Sequence, residues 1–116
     1  MKKLKIYNTD GSTNIKTLQG KKGTYKIYYK KQQKPVYIGF SSYNLYKTIT
    51  RHFQSWRTGT NNGQETISFV DMGYNKKDYY LTYFIDTAKR AEIREKKLIA
   101  KHKPKYNTQY NDITPF

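Results

Sequence analysis

One glutamate occupies a position where a small protein ordinarily has an aliphatic side chain. At 100° per residue, Ala88, Ala91, Leu98, Ile99 and His102 fall in one sector of a helix, and Glu95 lies inside that sector. A carboxylate on an inward stripe costs free energy unless it is paired or metal-bound. Two readings stand side by side. Glu95 is partly exposed and paired with one of the many nearby Lys and Arg side chains, or it is a ligand aimed at a site. The chain holds only 8 Asp+Glu, widely scattered, and Glu92 on the same helix points well around the cylinder. Two-metal sites need several converging carboxylates. One carboxylate, completed by phosphate oxygens and waters, suits a single Mg²⁺. With no Cys and 2 His, disulfides and thiolate zinc sites are excluded, and two histidines alone make no zinc site.

The elements that must position this residue are legible as patterns. Leu4 to Tyr7 reads as a short strand, Asn8 to Ser12 as turn chemistry, and residues 1–22 together as an N-terminal strand or arm. Residues 24–30 and 36–41 alternate and are rich in β-branched and aromatic types, with a polar connection over 31–35, so they predict a β-hairpin. Tyr25, Ile27 and Tyr29 share one face of its first strand. Asn44 is placed to cap a helix running to about Trp56, with Leu45, Ile49, Phe53 and Trp56 as its apolar stripe. Residues 57–65 read as a loop, and 66–78 fit no single pattern. Tyr79 to Ile85 predicts a strand. Asp86 or Thr87 caps a second helix that Pro104 ends near Lys103. His102, near that helix's C-terminus, is expected to be held in its charged form by the dipole. The order β-β-α, then β-α, predicts an α+β domain: a small, mainly antiparallel sheet, hairpin first, with helices packed on it. A length of 116 residues allows one domain, divided as 1–22 and 23–116.

The formal net charge is +15, from 23 Lys+Arg against 8 Asp+Glu. Solubility needs far less than this, so the excess points to a polyanion, first of all nucleic acid. The competing explanation is compositional, since an AT-rich genome inflates Lys, Asn, Tyr and Ile. No apolar run reaches membrane-span length, and the Lys pair at the start lacks the apolar stretch of a signal peptide. The expected location is the cytoplasm of a bacterium or phage-infected host.

Gly23-Thr24-Tyr25, eleven residues, then Tyr37-Ile38-Gly39, and later Glu95 with Leu98-Ile99, Pro104 and Tyr106-Asn107, stand in a telling order. Over residues 23–107 the chain resembles the GIY-YIG nuclease family. The resemblance implies that Glu95 holds a divalent metal, Mg²⁺ with Mn²⁺ as a substitute. It implies that Tyr25 sits near the attacking water as its general base, and that Tyr37 orients water or phosphate. A phenol with a pKa near 10 is a poor base at neutral pH, so cations must lower it. Gly39 is expected where the backbone passes close to a neighbour or substrate. Asn107 is expected to be substrate-proximal or backbone-orienting. Thr24 stands where Val or Ile is commoner in the first motif.

The family also places an Arg on the first helix, one turn before a His or Tyr. His52 matches the latter, as a proton shuttle for Tyr25 or a phosphate contact, with a plain helix-surface His as the bland reading. The Arg position holds Thr48. Arg51 lies about 60° around the helix and most of a turn along, within reach for a long side chain; Lys47 is nearer in sequence but points further away. Either Arg51 replaces the missing charge or Thr48 marks weak or lost activity. The expected function is therefore a one-metal endonuclease hydrolysing DNA, with Tyr25, Tyr37, Arg51, His52 and Glu95 catalytic and Gly39, Lys47 and Asn107 at substrate. The alternative is a GIY-YIG-like module that binds nucleic acid or protein without cutting. Specificity would come from residues 1–22, the 57–78 region, a homodimer or a protein partner. The length and the Lys- and Tyr-rich composition suit a phage or mobile-element protein.

Overall fold

The computed structural model describes residues 2–54 and 68–107. Trp56, the expected loop over 57–65 and the tail from residue 108 lie outside the described residues.

Four strands form one antiparallel sheet: β1 (Leu4–Lys5), β2 (Gly23–Tyr29), β3 (Tyr37–Ser41) and β4 (Tyr79–Ile85). Their spatial order is β1-β4-β2-β3. The helices are α1 (Leu45–Arg51) and α2 (Ala88–His102). This is the α+β arrangement expected from the pattern. β2 ends at Tyr29 because Lys30 adopts a left-handed φ of 53°, and the hairpin closes with Val36 N–H donating to the Ile27 carbonyl at 2.8 Å.

Residues paired across strands share a face of the pleat. Tyr25 faces Gly39 on one side and Tyr83 on the other, while Ile27 faces Tyr37 and Leu81. This face carries the main core, closed by Leu45, Ile49, Phe53 and Phe69. Thr24, Ile38 and Thr82 occupy the opposite face, which α2 covers with Ala91 and Ile99. Burying side chains of this size contributes roughly 1.5–3 kcal/mol apiece.

Asn44 caps α1, its Oδ1 accepting from Lys47 N–H at 3.2 Å. The helix does not run to Trp56. After Arg51 the amides of His52 and Phe53 donate to the carbonyls of Ile49 and Thr50, a tighter winding, and Phe69 N–H takes the His52 carbonyl at 2.7 Å. The stripe survives this ending, with Leu45 and Ile49 fully buried and Phe53 nearly so. Phe69, from the stretch that fitted no pattern, stacks on Phe53 and packs at a tilt against Tyr79. Of the two cap candidates for α2, Thr87 accepts from Arg90 N–H, and Lys103 closes the helix in the left-handed region before Pro104.

Residues 2–22 share the core. β1 pairs with β4, and Ile6, Ile15 and Leu18 are buried in the same cluster as Tyr25 and Ile27. The Lys21 and Lys22 carbonyls accept from Leu45 and Asp86 amides. Gly23 is obligatory here: a Cβ would sit inside contact distance of the Phe84 carbonyl oxygen and 3.0 Å from its carbon. Among the described residues no helix is long and apolar enough to cross a membrane.

Candidate active site

Tyr25 and Gly39 oppose each other on β2 and β3. A Cβ on Gly39 would lie 2.5 Å from Tyr25 Cζ and 3.0 Å from Cε1, so the phenol occupies the space that a side chain would fill. Of the neighbour and the substrate expected beside Gly39, the neighbour is Tyr25. Gly39→Ala is expected to displace this ring and destabilise the fold by about 1–3 kcal/mol. Urea denaturation checks it, and an unchanged midpoint would mean the ring swings aside freely.

The Tyr25 hydroxyl lies 2.8 Å from His52 Nε2. His52 has no exposed surface, because α1 stops before it and turns its ring inward. That removes the helix-surface reading. Tyr37 packs against His52 with ring centroids 4.6 Å apart, and Tyr25 and Tyr37 stand 6.3 Å apart. Burial pushes the Tyr25 phenol well above its ordinary pKa; negative charge at Tyr37 and Glu95 adds to this, and the Arg51 cation opposes it. Among the described groups, desolvation outweighs the Arg51 cation that acts on this phenol. Tyr25 is a neutral phenol within hydrogen-bond distance of an imidazole.

Glu95 faces the sheet from α2 and is 5% exposed, with Oε1 lacking any hydrogen-bond partner. The nearby cations are engaged elsewhere: Lys96 pairs with Glu92 at 3.9 Å and Arg94 with Asp86 at 3.2 Å. Burial, then the charge of Glu92, pushes the Glu95 carboxyl up to about 7, against an opposing pull from Lys96. The reading of Glu95 as a residue paired at the surface does not hold. Thr24 registers the helix, its buried hydroxyl donating to the Ala91 carbonyl at 3.0 Å, one turn before Glu95. Thr24 looked in the sequence like a minor departure from an aliphatic. A hydroxyl on a buried strand was the available signal that it binds something.

Arg51 ends α1, half-buried, and its charge acts on the Tyr25 phenol. Thr48, one turn earlier, donates to Ser41 Oγ at 2.8 Å, which ties α1 to the end of β3. Lys47 is exposed on the first turn. Of the two places expected for Asn107, its contacts match the backbone-orienting one. It is fully buried, Oδ1 accepting from Ile38 N–H at 2.7 Å and Nδ2 donating to the Ile38 carbonyl at 2.6 Å. Its amide is spent holding β3 in the middle of the second motif. His102 departs from expectation: burial, then the charges of Lys26, Lys101 and Lys34, lower its pKa against the dipole.

No described group of three His, Cys, Asp or Glu side chains could enclose a metal. Among the described acids an ion here would rely on Glu95 alone. The donor fits one: a hard carboxylate oxygen, buried without a partner, suits a hard divalent cation that keeps most of its ligands as water or phosphate.

No family model and no curated protein matches the chain. Solved structures do. One is the GIY-YIG N-terminal endonuclease domain of UvrC from Thermotoga maritima bound to magnesium, its catalytic divalent cation. It is 23% identical, with a TM-score of 0.51, covering 78% of this chain and 86% of that one. A point mutant of that domain, bound to its catalytic divalent cation, is 22% identical, with a TM-score of 0.53 over the same shares. The hairpin that carries Tyr25 and Tyr37, the helix that delivers His52 and the helix that presents Glu95 belong to a GIY-YIG-like fold.

Proposed function

We propose that this chain is a metal-dependent endonuclease that hydrolyses DNA phosphodiester bonds. The observation that carries the reading is the buried Glu95 carboxylate, its Oε1 without a hydrogen-bond partner, lying in the electrostatic reach of the Tyr25–His52 pair. Glu95 would hold one Mg²⁺, with Mn²⁺ as a substitute; when bound, the ion supplies charge neutralisation at the phosphate and at the leaving oxygen. Tyr25 takes a proton from the attacking water while passing its own phenolic proton to His52 Nε2, so no phenolate forms and the raised pKa is no obstacle. His52 ends as imidazolium, packed against the tilted Tyr37 ring and shielded from bulk water. Arg51 clamps the scissile phosphate in place of the arginine that Thr48 replaces, and Tyr37 keeps the imidazole and water aligned. Exposed Lys47 takes a flanking phosphate. The excess of positive charge draws the polyanion to the site and makes binding salt-dependent.

Thr48 favours a second reading, a fold-alike that binds nucleic acid without cutting, since its hydroxyl is committed to Ser41 and carries no charge. Supercoiled plasmid separates the two. The enzyme nicks or linearises it with Mg²⁺ or Mn²⁺, not with EDTA, and Glu95→Ala abolishes the reaction. Salt-sensitive binding that is equal in both proteins, with no cleavage of plasmid, single-stranded DNA or RNA, would favour the binder.

A further inference from the structure

A cleft of about 260 Å³ opens beside the β2–β3 turn, walled by Tyr29, Tyr74, Tyr79 and Tyr106 with Gln32 and Lys105. The four phenols form a box. Tyr79 is fully buried, with Tyr29 edge-on at 5.5 Å; Tyr74 stands 6.2 Å from Tyr29 and 6.4 Å from Tyr106, whose hydroxyl donates to that of Tyr74 at 3.0 Å. Tyr79 completes the core, but Tyr74 is 38% exposed and fills no core position. Cations surround the box. Lys30 Nζ lies 5.3 Å from the Tyr29 ring and Lys105 Nζ 5.3 Å from the Tyr106 ring. An adjoining depression shares Gln32 and Lys105 and adds Lys34 and Lys103. The cleft is also close to the site: the Phe69 ring contacts Tyr106 at 5.6 Å and His52 at 6.2 Å, so one ring separates the two.

Aromatic walls with a flanking cationic track are what an unpaired base and its phosphates require. The volume falls below the roughly 300–1,000 Å³ of sites for drug-sized ligands, which suits a single planar ring system. Gln32 brings both an amide donor and an acceptor for a base edge. A base inside a duplex is stacked and paired and cannot enter. We propose that this cleft receives one unpaired nucleobase, with the Lys34, Lys103 and Lys105 side of the groove taking its phosphates, so that the chain engages nucleic acid where duplex gives way to single strand. The inference rests on the endonuclease reading for what happens next to the cleft, and on the cleft alone for binding.

Fluorescence polarisation in EDTA tests it, with labelled oligothymidylate and a blunt duplex of matched length as probes. Tyr74→Ala is expected to weaken the single strand about tenfold, to leave the duplex unchanged and, since no charge is lost, to keep the salt slope. Tyr74→Phe keeps the ring and is expected to bind as wild type does. Lys105→Ala is expected to lower the single-strand salt slope by about one. Equal loss on both probes, no loss on either, or a failure of Tyr74→Phe to match wild type would overturn the proposal. Intact discrimination with no cleavage under Mg²⁺ would sink only the endonuclease reading; cleavage with no Tyr74 effect would sink only this one.

Discussion

Glu95→Gln is expected to make the protein more stable and catalytically inert at once. The carboxyl moves from an ordinary 4.5 to about 7 on folding, chiefly through burial. Below 4.5 both folded and unfolded chains are protonated there, so nothing is lost. Between 4.5 and 7 the folded state binds the extra proton, and stability falls as pH rises through that window. Above about 7 the deficit is complete, on the order of 3 kcal/mol for a shift of this size. Gln removes the charge at nearly constant shape, so in EDTA the variant should withstand more urea than wild type at pH 8, with the gap closing at pH 5. Mg²⁺ should stabilise wild type at pH 8 and leave the variant unmoved, because only a folded carboxylate offers a ligand. Cleavage should drop at least 10²–10³-fold, the scale of losing one charge-stabilising group. Equal denaturation midpoints at pH 8 would show that Glu95 is not under electrostatic strain, and the case for a ligand would go with it.

Arg51→Ala should reduce kcat by about 10²–10³-fold while leaving plasmid binding within a few-fold of wild type. The reasoning is geometric. Arg51 ends α1 beside His52, and its charge already acts on the Tyr25 phenol. A guanidinium there can meet the charge that develops on the phosphate, which Thr48, bonded to Ser41, cannot do. Exposed Lys47, given a flanking phosphate, is expected to move binding and its salt dependence but not kcat, so Lys47→Ala is the contrast. Placing an arginine at the earlier position, Thr48→Arg, should restore part of the activity of Arg51→Ala. Single-turnover cleavage reads both variants. A merely surface-exposed Arg51 would leave kcat unchanged and shift only the salt dependence of binding.

What could be read from the chain was local. The alternation over 24–30, the stripe Leu45, Ile49 and Phe53, a cap at Asp86 or Thr87 and the inward placement of Glu95 all depend on neighbours within a turn or two. They emerged in the structure nearly where the patterns put them. Where α1 stops was not legible, because the carbonyl of His52 is satisfied by Phe69, from a segment with no periodic signal. Nor was the seat of residues 2–22, whose β1 pairs with β4 across a long separation.

At the site the division is sharper. Periodicity marked out Glu95, and the resemblance to the GIY-YIG family marked out Tyr25, Tyr37 and His52. Their relations came only from the tertiary structure. The Tyr25 hydroxyl meets an imidazole 27 positions away, and Asn107 clamps a backbone 69 positions away. Gly39 is a glycine because of a ring on the next strand. The two ionisable groups shift upward because both are taken out of water. Periodicity tells which way a side chain points from its own element. Protonation, and the identity of what it meets, depend on desolvation and on the strand order β1-β4-β2-β3, which no stretch of a dozen residues contains.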